Sequence, residues 1–463
     1  MNPLLTRVIE EAAKVVEPDE KESRNVSAAA EHALKLVEEA TSEFPQRLHA
    51  LLGGSYAKGT WLKGEADVDI FVKFPTTVER KEFEELGVAV GMKAFKGLRT
   101  QLRFAEHPYV EGWVNEVRVN VVPCYDVEKG QWKSAADRSP FHTEYVKEHL
   151  REESKLEVRL LKKFMKSVGI YGAEVATKGF SGYVCEVLTL KYGFFANLLE
   201  RAAEFREGEV VSLEDVSEDY VRRLFKSHII VLDPVDSRRN LGTAVSAENV
   251  AAFILAARNF LSRPSLEFFS GGPHLVLRGR RGRLANVITI LFKHEKRSVD
   301  ILWGQLWRSV NHLVRQVEVA GFKVMRASCA SDDVEESAFV FLLEDLELSQ
   351  RSTRLGPKVF SKVDCDRFLE KNMGKAELFW VGSDGRVHIS YQRAVRTARD
   401  VLNGILKKGS SSYGIAPGLG REVESTFAVY EGSELRRAMR SRQWLEEEVA
   451  RLVGSNPLIF TDA

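Results

Sequence analysis

Two aspartates separated by one residue, Asp67 and Asp69 in Ala66-Asp67-Val68-Asp69-Ile70-Phe71, are the side chains in this sequence best placed to do chemistry. On an extended strand, residues i and i+2 share a face. The spacing therefore predicts two carboxylates side by side, with Val68 and Ile70 turned the other way. Adjacent like charges repel unless cations neutralise them, and hard oxygen ligands suit magnesium held together with substrate phosphates. Upstream, Gly53-Gly54-Ser55 predicts a strand turning into a helix, where backbone amides and the Ser55 hydroxyl can meet a phosphate. Phosphate and metal would then converge. The reaction such a site performs is in-line attack of a hydroxyl on an α-phosphate, with two metal ions clamping the attacking and leaving oxygens. An isolated Asp-x-Asp is commonly a solvated strand face, and an isolated Gly-Gly-Ser is commonly a turn. Their joint spacing carries the reading.

The elements that must position these residues follow from periodicity. Pro3 to Phe44 repeats at helical spacing and predicts one or two surface helices. Leu48–Leu52 and Asp67–Phe74 read as strands, Glu79–Phe95 as a helix, and Leu102–Glu106 and Val114–Val122 as further strands. Strands and helices mixed this way indicate an α/β or α+β first domain, and a phosphate-cradling turn followed by paired carboxylates is the layout of a nucleotidyltransferase palm. From Ser154 the strand signal stops: Leu156–Val168, Tyr183–Leu199 and Ala247–Leu261 predict a helical second domain. After Pro264 and Ser270-Gly271-Gly272-Pro273, strands are expected at His274–Leu277, Ile288–Lys293, Phe322–Ser328 and Ala338–Glu344 around a long helix Ile301–Val319. That suggests a ferredoxin-like layer. The last seventy residues return to helix, interrupted by a loop at Lys408–Ser412. The expected architecture is α+β and multidomain, with a catalytic head over residues 1–152, a helical neck over 153–264, and a C-terminal body and tail over 265–463.

Composition agrees with a multidomain protein. The chain has 463 residues, 44% of them hydrophobic, and 67 Lys+Arg against 66 Asp+Glu, so its formal charge of +1 singles out no partner. No apolar run reaches the ~20 residues of a membrane helix, and Met1 to Lys14 does not read as a signal peptide, so a soluble, cytoplasmic protein is expected. Cys124, Cys185, Cys329 and Cys365 lack metal-ligand spacing and read as reduced core thiols.

Further segments appear in a characteristic order: Val121-Val122-Pro123-Cys124-Tyr125, Ala136-Asp137-Arg138-Ser139-Pro140-Phe141-His142, Glu157-Val158-Arg159-Leu160-Leu161-Lys162, Gly169-Ile170-Tyr171-Gly172, Gly179-Phe180-Ser181-Gly182-Tyr183 and Asp233-Pro234-Val235-Asp236-Ser237-Arg238-Arg239-Asn240. With the Gly54-Ser55 and Asp67/Asp69 pattern, the chain resembles the archaeal-type, class I CCA-adding enzymes, tRNA nucleotidyltransferases of the polymerase-beta superfamily. The match is strong over roughly residues 50–270. The resemblance implies template-independent addition of C, C and A to tRNA 3′ ends from CTP and ATP, with Mg2+ at a two-metal site and release of pyrophosphate. It implies that Asp67 and Asp69 bind metal and that Gly54, Ser55 and Lys58 lie near the triphosphate, Lys58 standing where the family has arginine. His142, Lys162 and Tyr171 would hold the nucleotide's phosphates and sugar, and Arg239 would read the base. The family's third carboxylate falls at Asn120, which here is neutral. That departure implies impaired catalysis, through metal-ligating and catalytic capacity lost at Asn120, in either a deliberately inactivated variant or a natural homologue, and leaves open a catalytically silent tRNA-binding homologue. A poly(A) polymerase-like activity shares the palm chemistry. Should another acid replace the missing carboxylate, Glu116 is the nearest candidate in sequence.

An RNA partner requires local basic surface. Arg278, Arg280, Arg281 and Arg283 form one candidate cluster; Arg436, Arg437, Arg440 and Arg442 form another. In the family the body and tail grip the acceptor stem and T-arm of tRNA, and a homodimer is compatible with the resemblance.

Overall fold

In the computed structural model, which describes residues 3–270, 282–407 and 414–460, the chain forms two compact units that meet in sequence near residue 274, with a short stretch from Ser455 rejoining the first.

The first unit begins with helices α1 (Pro3–Val16) and α2 (Glu20–Ser42), followed by strand β1 (His49–Gly53), the short helix α3 (Gly54–Lys58), β2 (Asp67–Phe74), α4 (Arg80–Ala94), β3 (Thr100–Phe104), β4 (Pro108–Val114), β5 (Val117–Tyr125) and α5 (Arg138–His149). The strands form one sheet in the order β1-β2-β5-β4-β3, with β2 and β5 parallel and the other pairs antiparallel. Val68, Ile70, Val72 and Phe74 of β2 are buried against apolar residues of α2 and α4, including Val26, Val37, Phe83 and Val90. This apolar face fixes the orientation of β2 and leaves Asp67 and Asp69 on the opposite face.

One expected strand is two. Within the region read as Val114–Val122, Asn115 and Glu116 take positive φ values of 49° and 63°. They form a two-residue hairpin turn of the kind that suits the twist of the flanking strands, so β4 and β5 are antiparallel neighbours.

Helices α6 (Ser154–Val168), α7 (Gly182–Tyr192), α8 (Phe195–Ala203), α9 (Glu218–Phe225) and α10 (Ala247–Ser262), with short parallel strands β6 (Glu209–Val211) and β7 (Ile229–Val231), complete this unit. The single helix expected over Tyr183–Leu199 breaks at Gly193, whose φ of 75° closes α7 before α8 restarts. The core is rich in phenylalanine: Phe164 stacks on Phe268 with ring centroids 5.4 Å apart and meets Phe195 and Phe260 edge-on. Helix α1 is more than a surface helix, because Leu5, Val8, Ala12 and Val16 are buried in this same core.

The second unit contains β8 (Val287–Lys293), α11 (Val299–Val319), β9 (Val324–Ser331), β10 (Glu336–Leu343), β11 (Arg351–Lys358), α12 (Lys362–Asn372), β12 (Ala376–Val381), β13 (Arg386–Gln392), α13 (Ala398–Lys407), α14 (Pro417–Thr426), β14 (Ala428–Glu431), α15 (Gly432–Arg440) and α16 (Gln443–Val453). Its antiparallel sheet runs β14-β8-β10-β9, which is the ferredoxin-like arrangement of a split β-α-β unit. Residues of α11, α13 and α14 bury one face; α15 and α16 bury the other. Between β10 and α13 lies a second sheet, β11-β13-β12, that periodicity did not predict. Its strands leave Leu355, Leu378 and Val381 exposed, so they lack a clean apolar alternation. The strand expected at His274–Leu277 and the loop at Lys408–Ser412 lie outside the described residues.

The four cysteines are buried thiols outside any disulfide. Burial pushes the thiols of Cys124 and Cys185 well up, Cys185 to about 12. Among the described residues, no helix is long and apolar enough to cross a membrane.

Candidate active site

Register brings the acidic residues together. In the β2–β5 ladder Asp67 faces Arg118 and Asp69 faces Asn120; in the β4–β5 ladder Asn120 faces Glu111. Directly opposed residues share a sheet face, so Asp69, Asn120 and Glu111 form one row across three strands. Asn120 Nδ2 donates to Asp69 Oδ1 at 2.9 Å, while Asn120 Oδ1 is buried without a partner. Arg118 donates from Nε to Asp67 Oδ1 at 2.6 Å and from a second nitrogen to Oδ2. Glu111 is buried, accepts from Arg103 at 3.1 Å and lies 3.9 Å from Arg118. Burial pushes the Asp69 carboxyl up, opposed by the Asn120 amide and reinforced by Asp67. Glu116 is not available as a replacement acid: it sits in the exposed hairpin turn, because the extra strand boundary removed it from the face of Asn120.

The Gly-Gly turn presses onto this row. Gly53 pairs with Asp69 across β1–β2, and Gly54 has φ +65°. A Cβ on Gly54 would stand 1.8 Å from Asp69 Oδ2. Glycine is required here both by the left-handed backbone and by the close approach. Ser55 then lies in α3, half-buried, directly after that turn.

Lys58 ends α3 and is held from the helical region. Its Nζ donates to Glu186 Oε2 at 2.5 Å, Thr60 Oγ1 donates to Glu186 Oε1 at 2.6 Å, and Lys162 Nζ lies 3.3 Å from the same oxygen. Lys162 also donates to the Thr60 carbonyl and hydroxyl, both at 3.1 Å. All four side chains are buried. Burial works to raise the Glu186 carboxyl, and Lys58 and Lys162 overcome it, leaving the group below its usual range. Burial likewise lowers the Lys162 ammonium, against the pull of Glu186. One carboxylate thus anchors both lysines singled out in the sequence. Glu186 itself escaped notice, since a lone glutamate in an apolar helix carries no motif. Glu186→Ala is expected to cost roughly 3–5 kcal/mol of stability by leaving two buried ammonium groups without their partner, measurable by denaturant unfolding.

A second cluster surrounds Asp233. The loop from Asp233 to Arg239 closes on itself through backbone bonds Asp233 N to Arg239 O at 3.1 Å and Arg239 N to Asp236 O at 2.9 Å. Asn240 supports it by accepting from the amides of Val231 at 2.9 Å and Gly242 at 2.7 Å. His142 Nε2 meets Asp233 Oδ2 at 2.8 Å, and Arg239 reaches the same oxygen at 3.5 Å. The His142 ring stacks on Tyr183 with centroids 3.9 Å apart, and Lys58 lies 5.4 Å from the centre of that tyrosine ring. Burial lowers the His142 imidazole, opposed by Asp233. Tyr171 stands beside Lys162 across Gly182: a Cβ there would lie 2.8 Å from the Tyr171 hydroxyl and 3.5 Å from Lys162 Nζ. The structure therefore draws Lys58, Lys162 and Tyr171 into one neighbourhood, and His142 and Arg239 into an adjoining one joined through Tyr183.

Of the basic clusters, Arg278, Arg280 and Arg281 lie outside the described residues, and Arg283 opens a 3-10 turn. Arg436, Arg437 and Arg440 are exposed on α15 opposite the buried Leu435, Ala438 and Met439. Arg442 differs from them, since its guanidinium makes a two-pronged pair with Glu336 at 2.7 and 2.9 Å.

Three family models match successive stretches of the chain. A nucleotidyltransferase domain model matches residues 34–155, the second domain of tRNA nucleotidyltransferase matches 156–270, and the C-terminal domain of CCA-adding enzyme matches 281–432. The CCA-adding enzyme of Methanopyrus kandleri is 35% identical over 98% of both chains. The chain belongs to the CCA-adding enzymes. That of Sulfurisphaera tokodaii is 36% identical over 85% of this chain and 90% of its own length. In a CCA-adding enzyme, a nucleotidyltransferase, divalent metal accompanies the nucleotide. Asp69, pressed against the Gly54 backbone on the carboxylate face and carrying no arginine of its own, is the acid of this row that fits one such ion. A second ion fits poorly: Asp67 is engaged by Arg118, Asn120 is neutral, and among the described residues no three acidic, histidine or cysteine side chains converge to hold a metal.

Proposed function

We propose that this chain adds C, C and A in turn to the 3′ end of tRNA, taking CTP and ATP as substrates and Mg2+ as the metal. The observation that carries the proposal is the convergence of the Gly54 turn and Asp69 on one sheet face, in a chain related over its whole length to a CCA-adding enzyme. In the transfer, the RNA 3′-oxygen forms a bond to the α-phosphorus, the α–β bridging P–O bond breaks, and pyrophosphate leaves with release of the hydroxyl proton. Mg2+ would be held by Asp69, with Asp67 beside it on the same face, and would neutralise charge developing on the phosphates. Ser55, Lys58 and Lys162 hold the triphosphate. The two lysines are point charges kept in place by Glu186, a buried anchor that supplies the rigidity a flexible lysine lacks. His142 and Tyr171 contact phosphate and sugar, and Arg239, braced by Asp233, presents its planar donor fork to the base edge. Incubation with a tRNA lacking CCA should yield three additions in the order C, C, A and then stop. Continued addition of A would instead indicate a poly(A) polymerase-like enzyme.

Arg239→Ala is expected to admit G and U at the expense of C and A, with selectivity falling at least ~10-fold, the order expected for a lost base-edge contact. Misincorporation measured nucleotide by nucleotide checks this; unchanged selectivity would remove Arg239 from base reading. For the RNA, Arg436, Arg437 and Arg440 supply an exposed basic face suited to phosphates of the acceptor stem and T-arm.

A further inference from the structure

Beside the neutral Asn120, the same strand face carries a cation. Arg118 and Asn120 are two residues apart on β5, so alternation puts both among the acids, and register sets Arg118 against Asp67. The guanidinium occupies both oxygens of Asp67, with Nε at 2.6 Å from Oδ1, and its remaining arm points toward Glu111 at 3.9 Å. Glu111 is in turn paired with Arg103. The charged groups of this face are thus Asp67, Asp69 and Glu111 against Arg103 and Arg118. Within this set one net negative charge remains, and the carboxylate with no ion pair in it is Asp69, which feels Lys58 and Arg118 only through space. A planar fork on a carboxylate is a strong, geometrically matched contact, and arginine stays charged at any working pH. A divalent ion at Asp67 must displace that fork, and Asn120 contributes no charge to help it do so.

From this juxtaposition we infer that Arg118 takes the place of a second metal ion: Asp67 seats its guanidinium, and this chain binds one divalent cation per nucleotide where the two-ion reaction would call for two. The inference rests on the functional reading above, in which Asp67 and Asp69 line the nucleotide's metal site. It gives Arg118, which the sequence patterns did not single out, a role in charge balance, and it gives Glu111 the role of holding the other side of that guanidinium.

The test counts ions without requiring turnover. Full-length protein is saturated with a non-hydrolysable ATP analogue and a tRNA ending one nucleotide short, and bound Mn2+ is titrated by electron paramagnetic resonance. One Mn2+ per chain is expected. The double variant Arg118→Gln/Asn120→Asp, which removes the built-in cation and restores the acid, should bind two, the second at least ~10-fold more tightly than any second ion in the original chain. Two ions bound with comparable affinity by the original chain would overturn the inference while leaving the nucleotidyltransferase reading intact. A folded double variant that gained no second ion would overturn it as well. Should the double variant not fold, the count for the original chain decides. Absence of any nucleotide-dependent Mn2+ would overturn the functional reading together with the inference.

Discussion

Replacing Asp67 and Asp69 together by alanine should abolish metal-dependent nucleotide binding and reduce C addition by at least ~1,000-fold, equivalent to about 4 kcal/mol of transition-state stabilisation. The size of the effect follows from the sheet. Val68 and Ile70 are buried on the core side, so the double variant keeps its packing and loses only the acidic face opposite. Removing both carboxylates also leaves Arg118 without its Asp67 partner, which adds a positive charge where a metal cation would have to bind. Isothermal titration of CTP with and without Mg2+, together with single-turnover extension, measures both parts. Nucleotide that still bound with its metal elsewhere would remove the palm assignment.

The second large effect concerns Asn120. Asn120→Asp should accelerate addition of the terminal A by at least ~100-fold, about 2.7 kcal/mol, with ATP and tRNA affinities nearly unchanged. An amide carbonyl can touch a metal but cannot neutralise it, and it is a poor base for a 3′-hydroxyl. A guanidinium on Asp67 balances charge but accepts no proton. The new carboxylate would sit in register with Asp69, where Asn120 now donates a hydrogen bond at 2.9 Å. Two adjoining carboxylates repel, so the variant should be less stable than the original chain without divalent ions and regain stability as Mg2+ is added, since an ion bound only by the folded state shifts the equilibrium toward it. With the acid restored, a second ion can compete for Asp67, and Arg118 has Glu111 beside it to receive its guanidinium. Equal rates for the two chains would mean that Glu111, facing Asn120 from β4, already supplies the missing acid. A chain inactive with either residue, yet binding tRNA, would be the silent homologue.

Much of the site is legible in the sequence because its parts are local. Asp67 and Asp69 share a face through strand alternation alone, and the strand read over Asp67–Phe74 has those same bounds in the structure. The turn at Gly53-Gly54 is likewise written in one short segment, since the left-handed backbone at Gly54 favours glycine. Long amphipathic helices such as Ser154–Val168 and Ala247–Ser262 carry enough periods to be recognised unaided. Short features were less legible. The hairpin turn at Asn115-Glu116 hides inside an apolar stretch that reads as one strand, and the break at Gly193 hides between two helices of similar pattern.

What the sequence by itself determined, then, is which residue types are available and which of them share a strand or helix face. The family order of motifs added their expected roles. Tertiary structure alone decided their partners. Glu186 meets Lys58 from 128 residues away, Asp233 meets His142 from 91 residues away, and Arg118 meets Asp67 from 51 residues away. No periodicity encodes such pairings, because they depend on strand register and on how the helical layer closes over the sheet. The charge of a buried group depends on them in turn: away from water, Glu186 stays ionised because two lysines from separate elements reach it, and the net charge facing an incoming metal is set by which arginine the fold delivers to Asp67.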